Sequence, residues 1–494
     1  MKKRIAAFLC SLVLGATMLT GDIMTVCAEE PYDSYSFNYW GDEVLQPHAY
    51  LYGETLSWQQ FGTKLSYPAD MCRYEDALYV ADTGNSRILK LSLEGQVLQE
   101  IKAANGAGDA LKNPQGIFLT EEGHLYVADS GNARVVEYDE NGSYLRSIGR
   151  PVTNLISDSQ EYKPTKVVVD HAGRIYVIAY GINMGLVEFD KNGVFQGFMG
   201  AAEVSVSRLT YIWKNYFSTQ EQQARMETIV PTEYSNIYVD DENFIYATIN
   251  NLTLDDVMNN ADAIRRLNPT GTDVLRCLAN YSIVGDINIP YAENVSSFCD
   301  VAATDYGCYF VLDNNGGKVF AYDYDGNSLF AFGKKGMKEG NVRKPSAIAL
   351  GENEKKIYIL DETLGSILVY DLTQYGQDLL EAIRLNDTGD AQGANACWRK
   401  VLRANSNNEL AYIGLGKTYL SEGDYRKAME YFRLGNSRKY YTKAFYYYRK
   451  EVMEANFGKA MAAIGILVVV IVAVQGTRRF KRWVGEVRCS ISEQ

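Results

Sequence analysis

The fold is decided by a repeated stretch that reads LYVADTGNSRI over residues 78–88 and LYVADSGNARV over residues 125–135. The two copies lie 47 residues apart. Each copy predicts a strand of alternating pattern, a tight turn rich in Asp, Gly and Asn, and a second strand. A proline precedes each copy, at Pro68 and Pro114.

Four weaker copies follow, near Ile175, Ile237, Tyr309 and Ile357. Four-stranded units that recur every 40–47 residues or so are typical of propeller blades, because one small sheet cannot bury both faces without stacking on its neighbours. The sequence therefore predicts a mainly β fold, with a six-bladed β-propeller over residues 29–372. Strand-like runs at 49–52 and 56–58 precede the first blade, and we expect them to supply the outer strand of the sixth.

Helical periodicity replaces the alternating pattern near Leu372 and predicts a small all-α segment over residues 373–456. A Gly-Asp pair occurs at Gly389 and again at Gly423, 34 residues later. This period, with small residues such as Gly416 and Ala428 between aromatic ones, resembles tetratricopeptide repeats. Such repeats imply a surface for a peptide or protein, or a spacer between the propeller and a membrane.

The two ends of the chain predict export and membrane anchoring. Residues 1–28 have the basic start, apolar run and small residues of a signal peptide. Residues 458–476 form an apolar segment, and four basic residues follow it at once, as expected for a cytoplasmic end. We therefore predict a single transmembrane helix at 458–476, a cytoplasmic tail at 477–494 and an ectodomain outside the cytoplasmic membrane.

The charge balance is acidic. The chain carries 49 Lys and Arg against 61 Asp and Glu, a formal net charge of −12. Removal of the signal peptide and the tail makes this balance more acidic still. Such a charge disfavours nucleic acid as a partner and is compatible with basic proteins, cations or neutral sugars.

Five cysteines fall outside the signal peptide and the tail: Cys72, Cys277, Cys299, Cys308 and Cys397. The Cys299 and Cys308 thiols could lie on neighbouring strands of one hairpin. A bridge between them and a set of five buried thiols are both open interpretations.

The repeat is similar to that of the NHL family. The likeness is closest at the turns and covers about two thirds of the chain, and it implies a platform for protein or RNA. The polar turn residues are those a tight turn requires, so we interpret them as structural, with both arginines over the neighbouring blade. These residues are Asp82, Asn85, Arg87, Asp129, Asn132 and Arg134.

Some related six-bladed propellers are calcium-dependent lactonases, and this resemblance implies an enzymatic alternative. Their calcium is held by carboxylate and amide oxygens at one mouth of the axial channel. The candidates here are Asp70, Glu233, Asn236 and Asp300. Against this alternative, blades two, three and six begin their inner strands with Gln115-Gly116, Thr165-Lys166 and Ser346-Ala347. His124 and His171 occupy equivalent turns, and we interpret them as turn residues rather than ligands.

An insert at about 204–231 carries Trp213 and Tyr216 and predicts an aromatic helix that could cover a ligand. Tyr412 and Tyr419 in the helical segment are further candidates for binding. We expect a non-catalytic protein that needs no cofactor and recognises a protein or glycan partner at the cell surface. Similar architectures suggest an accessory protein of a sugar ABC transporter. The calcium-dependent gluconolactonase-like hydrolase is the alternative.

Overall fold

The computed structural model describes residues 32–103, 109–157, 159–182, 184–200, 234–259, 261, 263–287 and 295–492. The predicted signal peptide, the whole insert at 204–231 with Trp213 and Tyr216, and Glu233 lie outside these residues. Three strands precede the first blade: β1 (Tyr35–Phe37), β2 (Glu43–Leu45) and β3 (Tyr50–Leu56).

Blades 1 to 3 are antiparallel sheets of four strands that run in sequence order from the axis outwards. Blade 1 contains β4 (Asp70–Tyr74), β5 (Ala77–Asp82), β6 (Arg87–Ser92) and β7 (Val97–Ile101). Blade 2 contains β8 (Pro114–Leu119), β9 (Leu125–Asp129), β10 (Arg134–Tyr138) and β11 (Tyr144–Ile148). Blade 3 contains β12 (Lys163–Val169), β13 (Ile175–Tyr180), β14 (Leu186–Phe189) and β15 (Phe195–Met199).

Blades 4 to 6 complete the predicted six, and blade 4 shows three strands within the described residues. Blade 4 contains β16 (Tyr234–Val239), β17 (Ile245–Ile249) and β18 (Ile264–Leu267). Blade 5 contains β19 (Phe298–Ala303), β20 (Tyr309–Asp313), β21 (Lys318–Tyr322) and β22 (Ser328–Phe332). Blade 6 contains β23 (Pro345–Leu350), β24 (Lys356–Asp361) and β25 (Ser366–Leu372).

The N-terminal strands close the ring. Strand β3 pairs with β25 and becomes the outer strand of blade 6, with Leu56 opposite Ile367. This pairing confirms the closure expected from the sequence. Strands β1 and β2 extend blade 5 instead, because β1 pairs with β22. The sequence pattern does not predict that extension.

The hydrophobic core is divided among the interfaces between adjacent blades. Blades 1 and 2, for example, bury Tyr79 and Ile88 against Ile117 and Val127. The last interface joins blade 6 to blade 1 through a cluster of the same kind. Both faces of each middle strand are therefore covered, which explains why all six residues of β5 are buried.

Two helical hairpins follow the propeller, after the short helices α1 (Trp58–Phe61) and α2 (Leu254–Met258) in its loops. Hairpin A consists of α3 (Gln374–Asp387) and α4 (Ala391–Ala404), and hairpin B of α5 (Glu409–Ser421) and α6 (Tyr425–Leu434). Asp390 and Asp424 cap the second helix of each hairpin, directly after a glycine of positive φ. The two turns are thus built alike, 34 residues apart.

The hairpins pack on the propeller rather than standing free of it. Tyr375, Leu379 and Trp398 are buried in one cluster with residues of blades 5 and 6. Helix α7 (Arg438–Ser492) then continues from hairpin B for 55 residues. Among the described residues it is the one helix long and apolar enough to cross a membrane, with a mean hydropathy of 2.5 in its most apolar window.

Cys72, Cys277, Cys299, Cys308 and Cys397 form no disulfide. Cys299 lies near the start of β19, whereas Cys308 directly precedes β20, so the two occupy opposite ends of the hairpin. The bridge between Cys299 and Cys308 is therefore not formed. The other interpretation also needs correction, because Cys277 is exposed rather than buried.

Candidate functional site

Six equivalent residues at the start of the inner strands surround the propeller axis. Their equivalence follows from the strand register. In every blade, the ring residue of the inner strand is paired with a residue near the C-terminal end of the second strand. In blades 2 to 6 a register shift comes just before this residue, and such bulges re-aim a side chain. We call this set the axial ring: Asp70, Gly116, Lys166, Asn236, Asp300 and Ala347.

One ion pair crosses the ring. The Lys166 Nζ atom of blade 3 lies 2.7 Å from Asp70 Oδ1 of blade 1. Both side chains are nearly fully buried, at 11% and 9% exposed. The lysine passes blade 2 at Gly116, where a Cβ atom would lie 2.8 Å from Lys166 Cα and 2.5 Å from Thr165 O. Only glycine allows blades 2 and 3 to approach this closely.

The ring carboxylates also accept hydrogen bonds from the neighbouring blades. Asp70 Oδ2 accepts from Ile117 N at 2.9 Å, and Asp300 Oδ2 accepts from Ile348 N at 2.6 Å. The Asn236 side-chain amide donates to Asp300 Oδ1. The ring therefore joins neighbouring blades through buried carboxylates whose oxygens each accept at least one hydrogen bond.

Burial controls the protonation of the ring. Burial, reinforced by the nearby Asp70 carboxylate and opposed by the Lys166 ammonium, raises the pKa of Asp300 to about 7. Burial alone would lower the pKa of Lys166, but the Asp70 and Asp300 carboxylates outweigh it and raise that pKa above its ordinary value. Lys166 is therefore a cation at physiological pH. Burial also holds the pKa of the Cys72 and Cys299 thiols well above the ordinary range.

A cavity of about 430 Å³ extends from the ring along the inner strands. Its walls are mixed, because apolar side chains such as Val168, Ile237 and Val301 alternate with many polar and charged ones. The Lys166 ammonium lines this cavity, and apart from Asp70 Oδ1 its Nζ has no hydrogen-bond acceptor among the described residues. Since an ammonium carries three donors, at least two remain available beside the Asp70 ion pair.

The mouth of the cavity is acidic. Glu121, Glu122 and Asp241 line it together with Arg73. Burial, followed by the nearby Asp305 carboxylate, raises the pKa of Asp241. These carboxylates disfavour the entry of anions.

Both histidines interpreted as turn residues lie at this mouth. His124 Nδ1 is 3.0 Å from Glu137 Oε1, and His171 Nε2 is 3.4 Å from Glu121 Oε1. Both imidazoles are therefore engaged by carboxylates. The sequence placed them in equivalent turns but carried no sign that these turns meet at one cavity.

The calcium candidates only partly meet the demands of that ion. Asp70, Asn236 and Asp300 do come together in the ring, while Glu233 lies outside the described residues. Calcium takes six to eight oxygen ligands. Here, however, Lys166 occupies one Asp70 oxygen, and Asn236 directs its donor nitrogen rather than its oxygen at Asp300. Within the described ranges, no three His, Cys, Asp or Glu side chains are grouped so as to hold a metal ion. Among the described residues, the ring fits an internal ammonium group and does not fit calcium.

The repeated polar turns lie away from the axis and act within their own blades. Asp82 is fully buried and accepts from Ser66 N at 2.7 Å and from Arg87 Nε at 2.7 Å. Asn85 donates to Asp82 and to Lys64 O. Asp129, Asn132 and Arg134 repeat this arrangement in blade 2. Arg87 and Arg134 therefore hold the loop that enters their own blade, and do not lie over the neighbouring blade as expected.

The two candidate tyrosines of the helical segment belong to an aromatic cluster in hairpin B. Tyr419 stacks on Tyr431 with ring centroids 5.2 Å apart and receives a hydrogen bond from Arg399. Tyr412 lies 6.4 Å from the same ring and donates to Ser406 O. Both residues are partly buried, and both hydroxyl groups are already engaged.

A second cavity of about 660 Å³ lies between the propeller and hairpin B. Phe37 and Tyr39 line it on the propeller side, and Ile413 and Tyr440 line it on the helical side. Its position places it next to the start of α7.

Two family models match parts of the chain. One, described as "6-bladed beta-propeller", matches residues 294–447. The other, described as "SMP-30/Gluconolactonase/LRE-like region", matches residues 61–158. With the observed strand order, these matches confirm the predicted six-bladed β-propeller and its gluconolactonase-like region.

Solved structures with similar folds include a streptogramin B lyase, at 11% identity and a TM-score of 0.40, over 65% of this chain and 97% of that chain. The virginiamycin B lyase from Staphylococcus aureus is 12% identical with a TM-score of 0.38, over 65% and 99%. A structural genomics protein from Bacteroides thetaiotaomicron is 12% identical with a TM-score of 0.41, over 70% and 77%. No curated protein matches the sequence.

Proposed function

We propose that the protein is a non-catalytic binding module held outside the cytoplasmic membrane by α7, with a propeller that recognises a glycan or protein partner. The observation that carries this proposal is the Lys166 ammonium in the axial ring, 2.7 Å from Asp70. A lactonase of the related type needs a metal at this position to polarise its substrate. Here a side chain supplies the positive charge instead.

The protonation of the ring supports binding rather than catalysis. A lysine nucleophile must be neutral, whereas the Asp70 and Asp300 carboxylates raise the pKa of Lys166. A cysteine nucleophile must be a thiolate, whereas burial raises the pKa of Cys72 and Cys299. The protonation states of these groups therefore favour a polar binding site over a catalytic one.

The membrane position rests on α7 and on the residues that follow its apolar stretch. Arg478, Arg479, Lys481 and Arg482 come directly after it, and such residues favour the cytoplasmic side. The propeller and both hairpins then lie outside. In this orientation the cavity between propeller and hairpin B lies outside the membrane, near the start of α7 and about 24 Å of helix before the apolar stretch.

We extend the proposal to a role as an accessory subunit of a membrane transporter for sugars. The cavity beside α7 suits an extracytoplasmic loop of such a transporter, because both apolar and basic side chains line it. Lys439 is one of the basic residues, while Lys443 lies on the same helix outside the cavity.

Co-purification tests the partner. The detergent-solubilised full-length protein should retain a transporter permease subunit, identified by mass spectrometry after crosslinking. Lys439→Glu should reduce the recovered subunit, and the matched Lys443→Glu should not. Equal recovery with both variants, or recovery of no permease from wild type, would argue against the accessory role.

A hydrolysis assay tests the alternative. With a gluconolactone substrate, the protein should give the rate of the protein-free buffer, both with calcium and with chelator. Calcium-dependent hydrolysis that disappears in Asp300→Asn would establish the gluconolactonase-like hydrolase in place of the binding module.

A further inference from the structure

The axial cavity contains an unused positive donor beside carboxylate acceptors. Lys166 is 9% exposed as a whole residue and lines the cavity. Beside its contact with Asp70 it keeps at least two N–H donors. Asp70 and Asp300 lie beside it with lone pairs that the described hydrogen bonds do not exhaust. A ligand group that both donates and accepts would complement this pair of features.

The charge of the site selects among ligand classes. A cation would compete with Lys166 for the Asp70 carboxylate that already binds it. An anion would have to pass Glu121, Glu122 and Asp241 at the mouth. A neutral ligand avoids both costs.

A hydroxyl group satisfies the hydrogen bonding of the site. It carries one donor and two acceptor lone pairs, so it can accept from Lys166 and donate to a carboxylate at once. The cavity of about 430 Å³ is within the usual range of small-molecule sites, about 300–1,000 Å³. The apolar side chains among its mixed walls, such as Val168 and Val301, can contact the C–H faces of a sugar ring.

We infer that the axial ring is a metal-independent binding site for a neutral polyhydroxylated ligand, a monosaccharide or the end of a glycan, with Lys166 in the role that a metal would otherwise fill. This inference rests on the proposed binding function and specifies its ligand class. Lys166 is the specificity-determining residue, and Asp70 and Asp300 are the acceptors.

Saturation-transfer NMR with the full-length protein in detergent tests this inference. The probes are glucose, galactose, mannose and xylose, a linear neutral oligosaccharide, and the charged analogues glucuronate and glucosamine, all in the presence of chelator. At least one neutral sugar should receive saturation, and both charged analogues should bind more weakly. Stronger transfer to the oligosaccharide than to any monosaccharide would identify a glycan end as the ligand.

Two variants assign the signal to the ring. Lys166→Met should weaken binding at least about tenfold, because a charged hydrogen bond is lost. Lys163→Met, on the exposed start of the same strand, should bind like wild type. If Lys166→Met does not fold, the double variant Lys166→Met/Asp300→Asn removes one charge of each sign and so keeps the net charge of the ring. This double variant should show the same loss of sugar binding.

The inference is overturned if no neutral sugar binds, if binding requires a divalent cation, if glucuronate or glucosamine binds best, or if both Lys166 variants bind like wild type. If no sugar binds to the ring but the transporter subunit still co-purifies, the protein remains a binding module whose ligand binds elsewhere. Calcium-dependent lactone hydrolysis would contradict both the non-catalytic binding module and the metal-independent sugar site.

Discussion

Lys166 Nζ lies 2.7 Å from Asp70 Oδ1, although the two residues belong to blades 3 and 1. The ion pair therefore passes over blade 2 and ties blades 1 and 3 together at the axis. Neighbouring blades are held by apolar clusters and by backbone hydrogen bonds to Asp70 and Asp300. The crossing pair adds a connection between blades that do not pack on each other.

Removal of the ring cation should destabilise the propeller. Lys166→Met leaves Asp70 and Asp300 buried without a counter-charge, and loss of one partner from a buried pair costs about 3–5 kcal/mol. Denaturant unfolding followed by circular dichroism measures the effect. Lys163→Met removes an exposed lysine from the same strand and should cost less than about 1 kcal/mol. Equal effects of the two substitutions would contradict the role of Lys166.

The close approach of blades 2 and 3 should depend on Gly116. A Cβ atom there would meet Thr165 O at 2.5 Å, and relief requires a shift of backbone. Gly116→Ala should therefore lower the free energy of unfolding by about 1–3 kcal/mol. Gly197→Ala is the control, because its Cβ would have no neighbour within 4 Å. A neutral Gly116→Ala would mean that the blades are packed less tightly than described.

The turn carboxylates should contribute to stability and not to ligand binding. Asp82→Ala leaves the Ser66 N and Arg87 Nε donors without their acceptor and should cost about 3 kcal/mol. Asp76→Ala, at an exposed turn of the same blade, should have little effect. Thermal unfolding measures both, and sugar binding by Asp82→Ala below its melting temperature should equal that of wild type. Loss of binding in the folded variant would place the turn in the ligand site.

Asp300 should make stability depend on pH. Its pKa in the folded protein is raised to about 7, above the ordinary value of about 4. Between these values the folded state binds more protons than the unfolded state, so the free energy of unfolding falls as pH rises through this window. Asp300→Asn should remove this contribution and flatten the profile between about pH 4 and 7, whereas Asp76→Asn should leave it unchanged. A wild-type profile that rises more steeply than that of Asp300→Asn would contradict the assignment.

Much of the fold could be predicted from the sequence because the repeats encode local structure. The turn at Asp82 and its copy at Asp129 fixed the blade period, and the Gly389 and Gly423 turns fixed the helical hairpins. The extension of blade 5 by β1 could not be predicted, since Tyr35–Phe37 is short and pairs with a strand almost 300 residues away. The assignments to the NHL and tetratricopeptide families stay predictions.

The candidate site was harder to predict, because it depends on distant residues meeting at one axis. The sequence identified Asp70, Asn236 and Asp300 as equivalent blade starts, and the structure brings them together. In the sequence, Lys166 stands out only as a basic residue at a strand start where a calcium site would need an acidic one. Its role depends on its length and on the missing side chain of Gly116, which together allow it to reach Asp70. A lysine at an inner-strand start, next to a blade that carries glycine there, is the signal that could have found it.

The central claim is that Lys166 takes the place of a metal in the axial ring, and a calcium titration of the full-length protein by isothermal calorimetry tests it most directly. We predict that wild type gives no binding heat and has the same melting temperature with calcium and with chelator. Stoichiometric calcium binding that stabilises wild type and is lost in Asp300→Asn would contradict the claim.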